Sequence, residues 1–284
     1  MSGRKLAPGL YFVATPIGAA RDITLRGLDI LREADVLAAE DTRTLRHLME
    51  IHGVPLAGRQ VVAYHDHNGE QARPRILRAL AEGLSVAYAS EAGTPLVADP
   101  GFQLGRAAIA EGHRTFAAPG ASAVLAALTV SGLPTDRFLF AGFPPHGGSA
   151  RRKWLAEFAA VPATLVFYES PKRLGEMLTD LVQDFGTDRE AVVCRELTKR
   201  FEEVRRGPLG ELAAEFSGKT VKGEIVVLVD RPRGRQFGPE DVEAALRERL
   251  AQMSVKDAAA EVAEALGLPR REVYQRALAM ERDE

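Results

Sequence analysis

Apolar and polar positions in this chain fall into blocks rather than a simple alternation. Short runs rich in Val, Leu, Phe and Tyr, each followed by a polar or Gly/Pro turn, give way to stretches of helical periodicity. A strand buried on both faces of a parallel sheet reads as such a continuous run, so the pattern predicts strand-helix units around a parallel sheet. Five runs are predicted as strands in the first 118 residues: Leu10 to Ala14, Val36 to Ala39, Val61 to Tyr64, Ser85 to Ala89 and Thr115 to Ala118. The helices between them carry Leu25, Leu28 and Leu31, then Leu45, Leu48 and Met49, then Ile76, Leu77 and Leu80, then Leu104, Ala108 and Ile109. Asp99-Pro100 reads as an N-cap followed by a proline at the first helical position, and Gly53, Gly83 and Gly112 read as C-terminal caps.

After Pro119-Gly120 an Ala-rich helix is expected to run to Gly132, with strands at Phe138 to Ala141, Thr164 to Tyr168, Ala191 to Cys194, Glu202 to Arg206 and Glu224 to Val229. These predict a second α/β domain with a mixed sheet. Asp230 to Pro239 is polar, basic and rich in Gly and Pro, the composition of a linker. Beyond it the pattern is helical only. Ser254 with Asp257 resembles a capping box, Gly267 ends that helix and Pro269 starts another. The expectation is an α/β chain of two domains, residues 1–118 and 119–230, with a linker over 231–239 and a helix-turn-helix-like appendage over 240–284.

With 284 residues, 46% of them apolar, there is enough material to fill two cores. The net charge of −2 leaves no overall positive field, so any contact with nucleic acid must use local basic patches. The single cysteine, Cys194, excludes an intramolecular disulfide and sits in an apolar run that reads as a buried strand, which suits a reducing cytoplasm. No apolar run approaches the ~20 residues of a membrane span and the first residues lack an apolar signal core, so a cytoplasmic protein with no membrane partner is expected.

In open parallel sheets ligands sit beyond the carboxyl ends of the strands. Here those turns read Thr15-Pro16-Ile17-Gly18, Glu40-Asp41-Thr42-Arg43, His65-Asp66-His67-Asn68, Ser90-Glu91-Ala92-Gly93-Thr94-Pro95 and Pro119-Gly120-Ala121-Ser122. Gly and Pro alone would be ordinary turn chemistry, but charged groups converging on one rim point to a site. Glu40-Asp41 reads either as a cluster stabilising a helix N-terminus or as acceptors on that rim. His65, Asp66 and His67 form either a surface turn or a group able to hydrogen-bond and shuttle a proton; they lack the further spaced ligands of a closed zinc site, so no metal is expected. G-x-G-x-x-G after the first strand and G-x-x-x-x-G-K-[ST] are both absent, which argues against dinucleotide and P-loop chemistry. Arg151-Arg152-Lys153, Arg195 with Lys199 and Arg200, and Arg205-Arg206 are basic clusters that serve phosphate or merely face solvent. The first follows the Gly/Pro-rich stretch 144–149 and is expected to belong to a mobile loop that closes over a substrate.

With those turns in view, the chain resembles the tetrapyrrole methylase superfamily and, within it, the small-subunit ribosomal RNA methyltransferase I family. The resemblance spans nearly the whole chain in eight ordered blocks: 13–26 (VATPIGAARDITLR), 38–43 (AAEDTR), 65–68 (HDHN), 90–101 (SEAGTPLVADPG), 119–122 (PGAS), 167–170 (FYES), 195–199 (RELTK) and 222–225 (KGEI). It departs from the family pattern at Ala19, Glu91 and Ala121, where the family usually has Asn, Asp and often Pro. The resemblance implies a two-domain class III methyltransferase fold, S-adenosylmethionine in the cleft between the domains, a homodimer, and 2′-O-methylation of a cytidine in the decoding region of 16S rRNA in the 30S subunit. It assigns to the cofactor Pro16, Gly18, Ser90, Glu91, Ala92, Gly93, Thr94, Pro95, Pro119, Gly120, Ser122, Tyr168, Glu169, Ser170, Lys222, Gly223 and Glu224. To the RNA it assigns Arg43 and Asn68, joined by Arg151, Arg152, Lys153, Arg195 and Lys199 from the basic clusters.

Methyl transfer from a sulfonium requires in-line approach of the nucleophile at about 3 Å. A ribose hydroxyl is a weak nucleophile at neutral pH and calls for an acceptor of its proton, with Asp41, Glu40 and His65 the candidates in that order. Two other readings compete: a small-molecule tetrapyrrole methylase, and a non-catalytic RNA-binding or ribosome-assembly factor. The HDHN and RELTK blocks favour RNA.

Overall fold

A computed structural model describes residues 6–232, 239–266 and 268–283. Five strands, β1 (Gly9–Val13), β2 (Val36–Ala39), β3 (Val61–Ala63), β4 (Ser85–Ala89) and β5 (Thr115–Ala118), form an all-parallel sheet in the order β3-β2-β4-β1-β5. The parallel register places Val13 beside Ala89 and Ala118, and Ala39 beside Ala89 and Ala63, so all five strands end on one edge. Parallel pairing forces each connection to cross back over the sheet. Four helices do this: α1 (Leu25–Glu33), α2 (Thr42–Ile51), α3 (Gly69–Ala81) and α4 (Gly101–Ala110).

Local chemistry sets the helix ends. Thr24 Oγ1 accepts the Gly27 N–H at 3.0 Å to start α1, and Asp99 Oδ1 accepts the Gly101 N–H at 2.7 Å to start α4. Gly53, Gly83 and Gly112 close α2, α3 and α4 in the left-handed region, where a Cβ would be strained. Pro74 lies inside α3, a residue that costs about 3 kcal/mol in an unsupported helix interior. Burial of Ile76 and Leu80, at roughly 1.5–3 kcal/mol each, outweighs it.

The next helix, α5 (Ala123–Ser131), is capped by Ser122 and ends at Gly132 in the left-handed conformation. The second sheet contains β6 (Phe138–Gly142), β7 (Thr164–Glu169), β8 (Glu190–Arg195), β9 (Glu203–Pro208) and β10 (Ile225–Val229) in the order β6-β7-β10-β8-β9. Only β6 and β7 pair in parallel, so the sheet is mixed. One face packs on α5 through Val124, Leu128, Val166, Cys194 and Leu228. The other carries α6 (Gly148–Ala156), α7 (Leu174–Phe185) and α8 (Leu209–Phe216) on Leu165, Phe167, Val193 and Val227. Cys194, on the α5 face, is buried, and burial pushes its thiol up to about 12, leaving it inert.

The chain divides into two compact units at Arg231/Pro232. The second holds α9 (Pro239–Leu250), α10 (Val255–Leu266) and α11 (Arg270–Asp283), which enclose a core of their own around Leu246, Val262, Val273 and Ala277. The capping box forms as its spacing predicts: the Asp257 N–H donates to Ser254 Oγ, and that hydroxyl donates to Asp257 Oδ2 at 2.6 Å. The linker expected over 231–239 lies mostly outside the described residues, as does Gly267. Among the described residues no helix is long and apolar enough to cross a membrane.

Candidate active site

The carboxyl ends of the parallel strands are tied to one another before any ligand is considered. Thr15 and Gly93 exchange backbone hydrogen bonds at 3.0 Å, joining the turns after β1 and β4. Ser90 Oγ donates to the Gly93 carbonyl at 2.6 Å, and Thr94 Oγ1 donates to the Ala121 carbonyl at 3.0 Å. Gly120 packs so close that a Cβ would lie 2.9 Å from that of Ala14. Ser90, Gly93, Thr94 and Gly120 therefore shape the rim, while Ser122 caps α5.

The second lobe reaches this rim through the loop after β8. Glu196 and Thr198 both lie in the left-handed region although neither is glycine, a strain that persists only where the surroundings enforce it. Thr198 Oγ1 accepts the Ala19 N–H at 3.1 Å across the two lobes. Lys199 Nζ pairs with Glu196 at 2.8 Å and Glu224 at 3.0 Å, and its hydrogen bond holds the Glu196 carboxyl below its usual range. A Cβ on Gly18 would meet Lys199 Cγ at 2.5 Å, Thr198 Oγ1 at 2.6 Å and the Leu197 carbonyl at 3.0 Å. Replacing Gly18 with alanine is expected to push this loop away and to cost about 1–3 kcal/mol, as overpacking does. A thermal unfolding midpoint equal to that of the parent would show instead that the loop yields freely.

Ten of the seventeen residues assigned to the cofactor fall in two recesses. A cavity of about 320 Å³ is lined by Ile17 and Ala92 of the first lobe, Ala123 and Phe143, the β7 end from Tyr168 to Pro171, and Gly223 to Val226. Pro16, Gly18, Ser90 and Glu91 line a smaller recess of about 170 Å³ against α2. Gly93, Thr94, Pro95, Pro119, Gly120, Ser122 and Lys222 line neither. Sequence reasoning missed Ile17, Ala123, Phe143 and Ile225, since an apolar wall residue carries no chemical signature of its own.

Within the larger cavity Tyr168 and Phe143 give aromatic surface, with ring centroids 5.4 Å apart. Glu169 is buried, at 3% exposure. One of its oxygens, Oε1, accepts the Ser170 N–H at 2.6 Å and pairs with Arg173, while Oε2 has no protein partner. A buried carboxylate oxygen without a partner is costly, and the Arg173 guanidinium supplies the balancing charge.

The three candidate acceptors differ in state. Asp41 caps α2, accepting the N–H groups of Arg43 at 2.7 Å and Thr44 at 3.3 Å. The hydrogen bonds from the Arg43 side chain and backbone lower its carboxyl to about 2. Glu40 is half-buried beside it, and burial, reinforced by the charges of Asp99 and Glu91, raises its carboxyl to about 6. His65 keeps a buried Nδ1 without a protein partner. Asn68 braces the same turn, accepting the His65 N–H at 2.8 Å and donating to the Ala63 carbonyl at 3.0 Å.

The basic clusters are largely occupied. Arg151, expected in a mobile loop, stands in α6 with its side chain 3% exposed, bonded to Asp180 at 2.6 Å and Glu176 at 3.1 Å. Its neighbours Arg152 and Lys153 are exposed. Arg195 pairs with Glu203 at 2.9 Å, Arg205 pairs with Glu215 at 2.6 Å, and Arg206 donates to carbonyls at the end of α5. Arg43 is solvent-exposed but pairs with Asp41 at 3.0 Å. Among the described residues no group of three His, Cys, Asp or Glu side chains is set to hold a metal ion.

Residues 9–213 match the family model Tetrapyrrole (Corrin/Porphyrin) Methylases, and residues 237–281 match the RsmI C-terminal HTH domain. The chain is 48% identical over 276 residues to the ribosomal RNA small subunit methyltransferase I of Mesorhizobium japonicum, covering 97% of this chain and 93% of that protein. It is 42% identical to the protein of the same name in Mycobacterium tuberculosis, covering 96% of each. In fold it is similar to the methyltransferase CobJ, with a TM-score of 0.62 at 20% identity, covering 81% of this chain and 97% of that one. It is also similar to the Thermus thermophilus uroporphyrin-III C-methyl transferase complexed with S-adenosyl homocysteine, with a TM-score of 0.55 at 23% identity over 78% of this chain and 96% of the other. On these matches the chain belongs to the ribosomal RNA small subunit methyltransferase I family, with the two-lobed tetrapyrrole methylase fold and a C-terminal helical unit.

Proposed function

We propose that this protein transfers a methyl group from S-adenosylmethionine to the ribose 2′-hydroxyl of a cytidine in the decoding region of 16S rRNA, acting on the 30S subunit in the cytoplasm. The observation that carries this reading is the cavity at the joined strand ends, walled by apolar and aromatic side chains of both lobes with Ser170 and Glu224 as its polar members. Its volume lies within the range of small-molecule sites. An adenosyl group and a thioether suit the walls of Ile17, Tyr168, Ile225 and Val226. When bound, the cofactor supplies an electrophilic methyl on a positively charged sulfur.

This chain's residues then have three tasks. The turns Ser90 to Pro95 and Pro119 to Ser122 hold the first lobe's rim in place, and Lys222 to Glu224 close the second lobe's side. Glu40 accepts the proton of the ribose hydroxyl, since a carboxylate near 6 is a stronger base than Asp41 and is still ionised at neutral pH. Asp41 orients the helix, and His65 and Asn68 shape the adjoining turn. Arg43, Arg152 and Lys153 attract the phosphate backbone as exposed cations, while Arg195 and Lys199 are held by Glu203, Glu196 and Glu224.

A homodimer completes the proposal, seated on the exposed apolar side chains Leu96, Phe102 and Ile109 beside the unpaired edge of β5. Ile109→Glu is expected to give a monomer by light scattering, and an unchanged dimer mass would place the interface elsewhere. The activity is tested by transfer of tritiated methyl groups from labelled cofactor to purified, unmethylated 30S subunits. Label in one ribose is expected. No label, or label only in a tetrapyrrole, would overturn the reading.

A further inference from the structure

Phe143 follows β6 directly, lines the mouth of the larger cavity and is still 56% exposed. Its position is not left to chance. The register slips between Phe140 and Gly142, and Gly142 lies in the left-handed region, which turns the chain off the sheet. The Pro144 carbonyl then accepts from Arg173 Nη1 at 3.3 Å, and Arg173 is itself held by the buried Glu169. The ring meets Tyr168 at an interplanar angle of 61°, and Tyr168 meets Phe140 at 63° with centroids 4.8 Å apart. Edge-to-face packing of this kind fixes a ring while leaving its other face open. Among the described residues Tyr168 is the one ring partner of Phe143.

A large apolar ring, braced through three residues and yet presented to solvent at the lip of a cofactor-sized cavity, is suited to a planar ligand arriving from outside. Single-stranded RNA is recognised largely by bases splayed out and stacked on aromatic side chains, and an enzyme acting on one nucleotide of a folded RNA must extract and hold it. We propose that Phe143 is the platform on which the base of the acceptor nucleotide stacks, which presents its ribose to the cavity mouth. The proposal rests on the ribosomal RNA reading above. Arg152 and Lys153, exposed on the helix that begins shortly after Phe143, are the cations that would meet the flanking phosphates. Stacking does not distinguish one base from another, so Phe143 contributes affinity and placement rather than sequence choice.

The test uses the full-length protein and its Phe143→Ala, Phe143→Leu and Phe143→Trp variants. Affinity for S-adenosylhomocysteine is measured by calorimetry, and KM for unmethylated 30S subunits by labelled methyl transfer. Phe143→Ala is expected to raise the KM for 30S subunits about ten- to hundred-fold, a much larger loss than in affinity for the cofactor product. Phe143→Leu should behave like the alanine variant, and Phe143→Trp like the parent. Equal losses of product and 30S affinity would assign the ring to the cofactor instead and overturn the proposal, as would a parental KM in either the leucine or the alanine variant. A parent protein that labels no RNA at all would bring down the functional reading and the platform together, a result visible before any variant is made.

Discussion

Arg151→Ala is expected to destabilise the protein by about 3–5 kcal/mol, a loss read directly in a denaturant midpoint. The arginine side chain is almost fully enclosed between α6 and α7, where Nε meets Asp180 at 2.6 Å and Nη2 meets Glu176 at 3.1 Å. Glu176 is well exposed and regains water when the arginine is gone. Asp180, whose side chain is 11% exposed, cannot do so and is left as an uncompensated buried charge. A control follows from the same reasoning: replacing both residues together, as in Arg151→Met with Asp180→Leu, removes the stranded charge and should recover most of the loss. If the single variant instead unfolds at the parental midpoint but binds 30S subunits weakly, Arg151 serves RNA and the buried pair is incidental. Arg152→Ala makes the contrast, with parental stability and a weaker, less salt-dependent affinity for RNA.

Glu40→Gln is expected to lower the rate of methyl transfer at saturating cofactor by about 10²–10⁴, the range attributed to general base catalysis, while affinity for S-adenosylhomocysteine stays at the parental level. Amide and carboxylate have the same shape, so a loss confined to rate isolates the proton-accepting role. The pH dependence gives a second readout. Glu40 titrates near 6 in the folded protein, so the parental rate should climb as pH rises through about 6, and the glutamine variant should lack that limb. Stability should move in the opposite sense. Because the folded state holds this proton more tightly than the unfolded chain does, the carboxyl's stabilising contribution is fully present below its ordinary value of 4.5 and is lost as pH rises through about 6. A glutamine variant within about threefold of the parental rate would transfer the role to His65, which retains a free buried nitrogen on the neighbouring turn.

Much of this molecule can be read from residues close together in the chain. The parallel first sheet follows from runs such as Ser85 to Ala89, apolar without alternation because both faces are covered. The mixed second sheet, the glycine ends of α2 to α4 and the Ser254–Asp257 capping box follow from the same kind of local rule, in which strand period, left-handed φ and short-range hydrogen bonds involve neighbours only. Boundaries shift by a residue or two. The first strand runs from Gly9 to Val13 instead of Leu10 to Ala14, because backbone pairing with β4 and β5 ends it, not the last apolar side chain.

The partners of charged side chains were not legible in this way. Sequence order placed Arg151 beside Arg152 and Lys153 as if the three were alike, but the helical turn sends the first into the core toward Asp180 and leaves the other two in water. Asp41 and Glu40 are adjacent in the chain, yet hydrogen bonds from Arg43 lower one carboxyl and burial raises the other. Lys199 reads as a cation free for phosphate until β8 and β10 bring Glu196 and Glu224 against it. What the sequence determined alone was the set of strands, turns and caps, together with a family whose blocks recur in order. Tertiary structure decided which charges remain available, which apolar side chains wall the cavity and where Phe143 stands, because burial and ion pairing depend on residues that meet only after the sheets have formed.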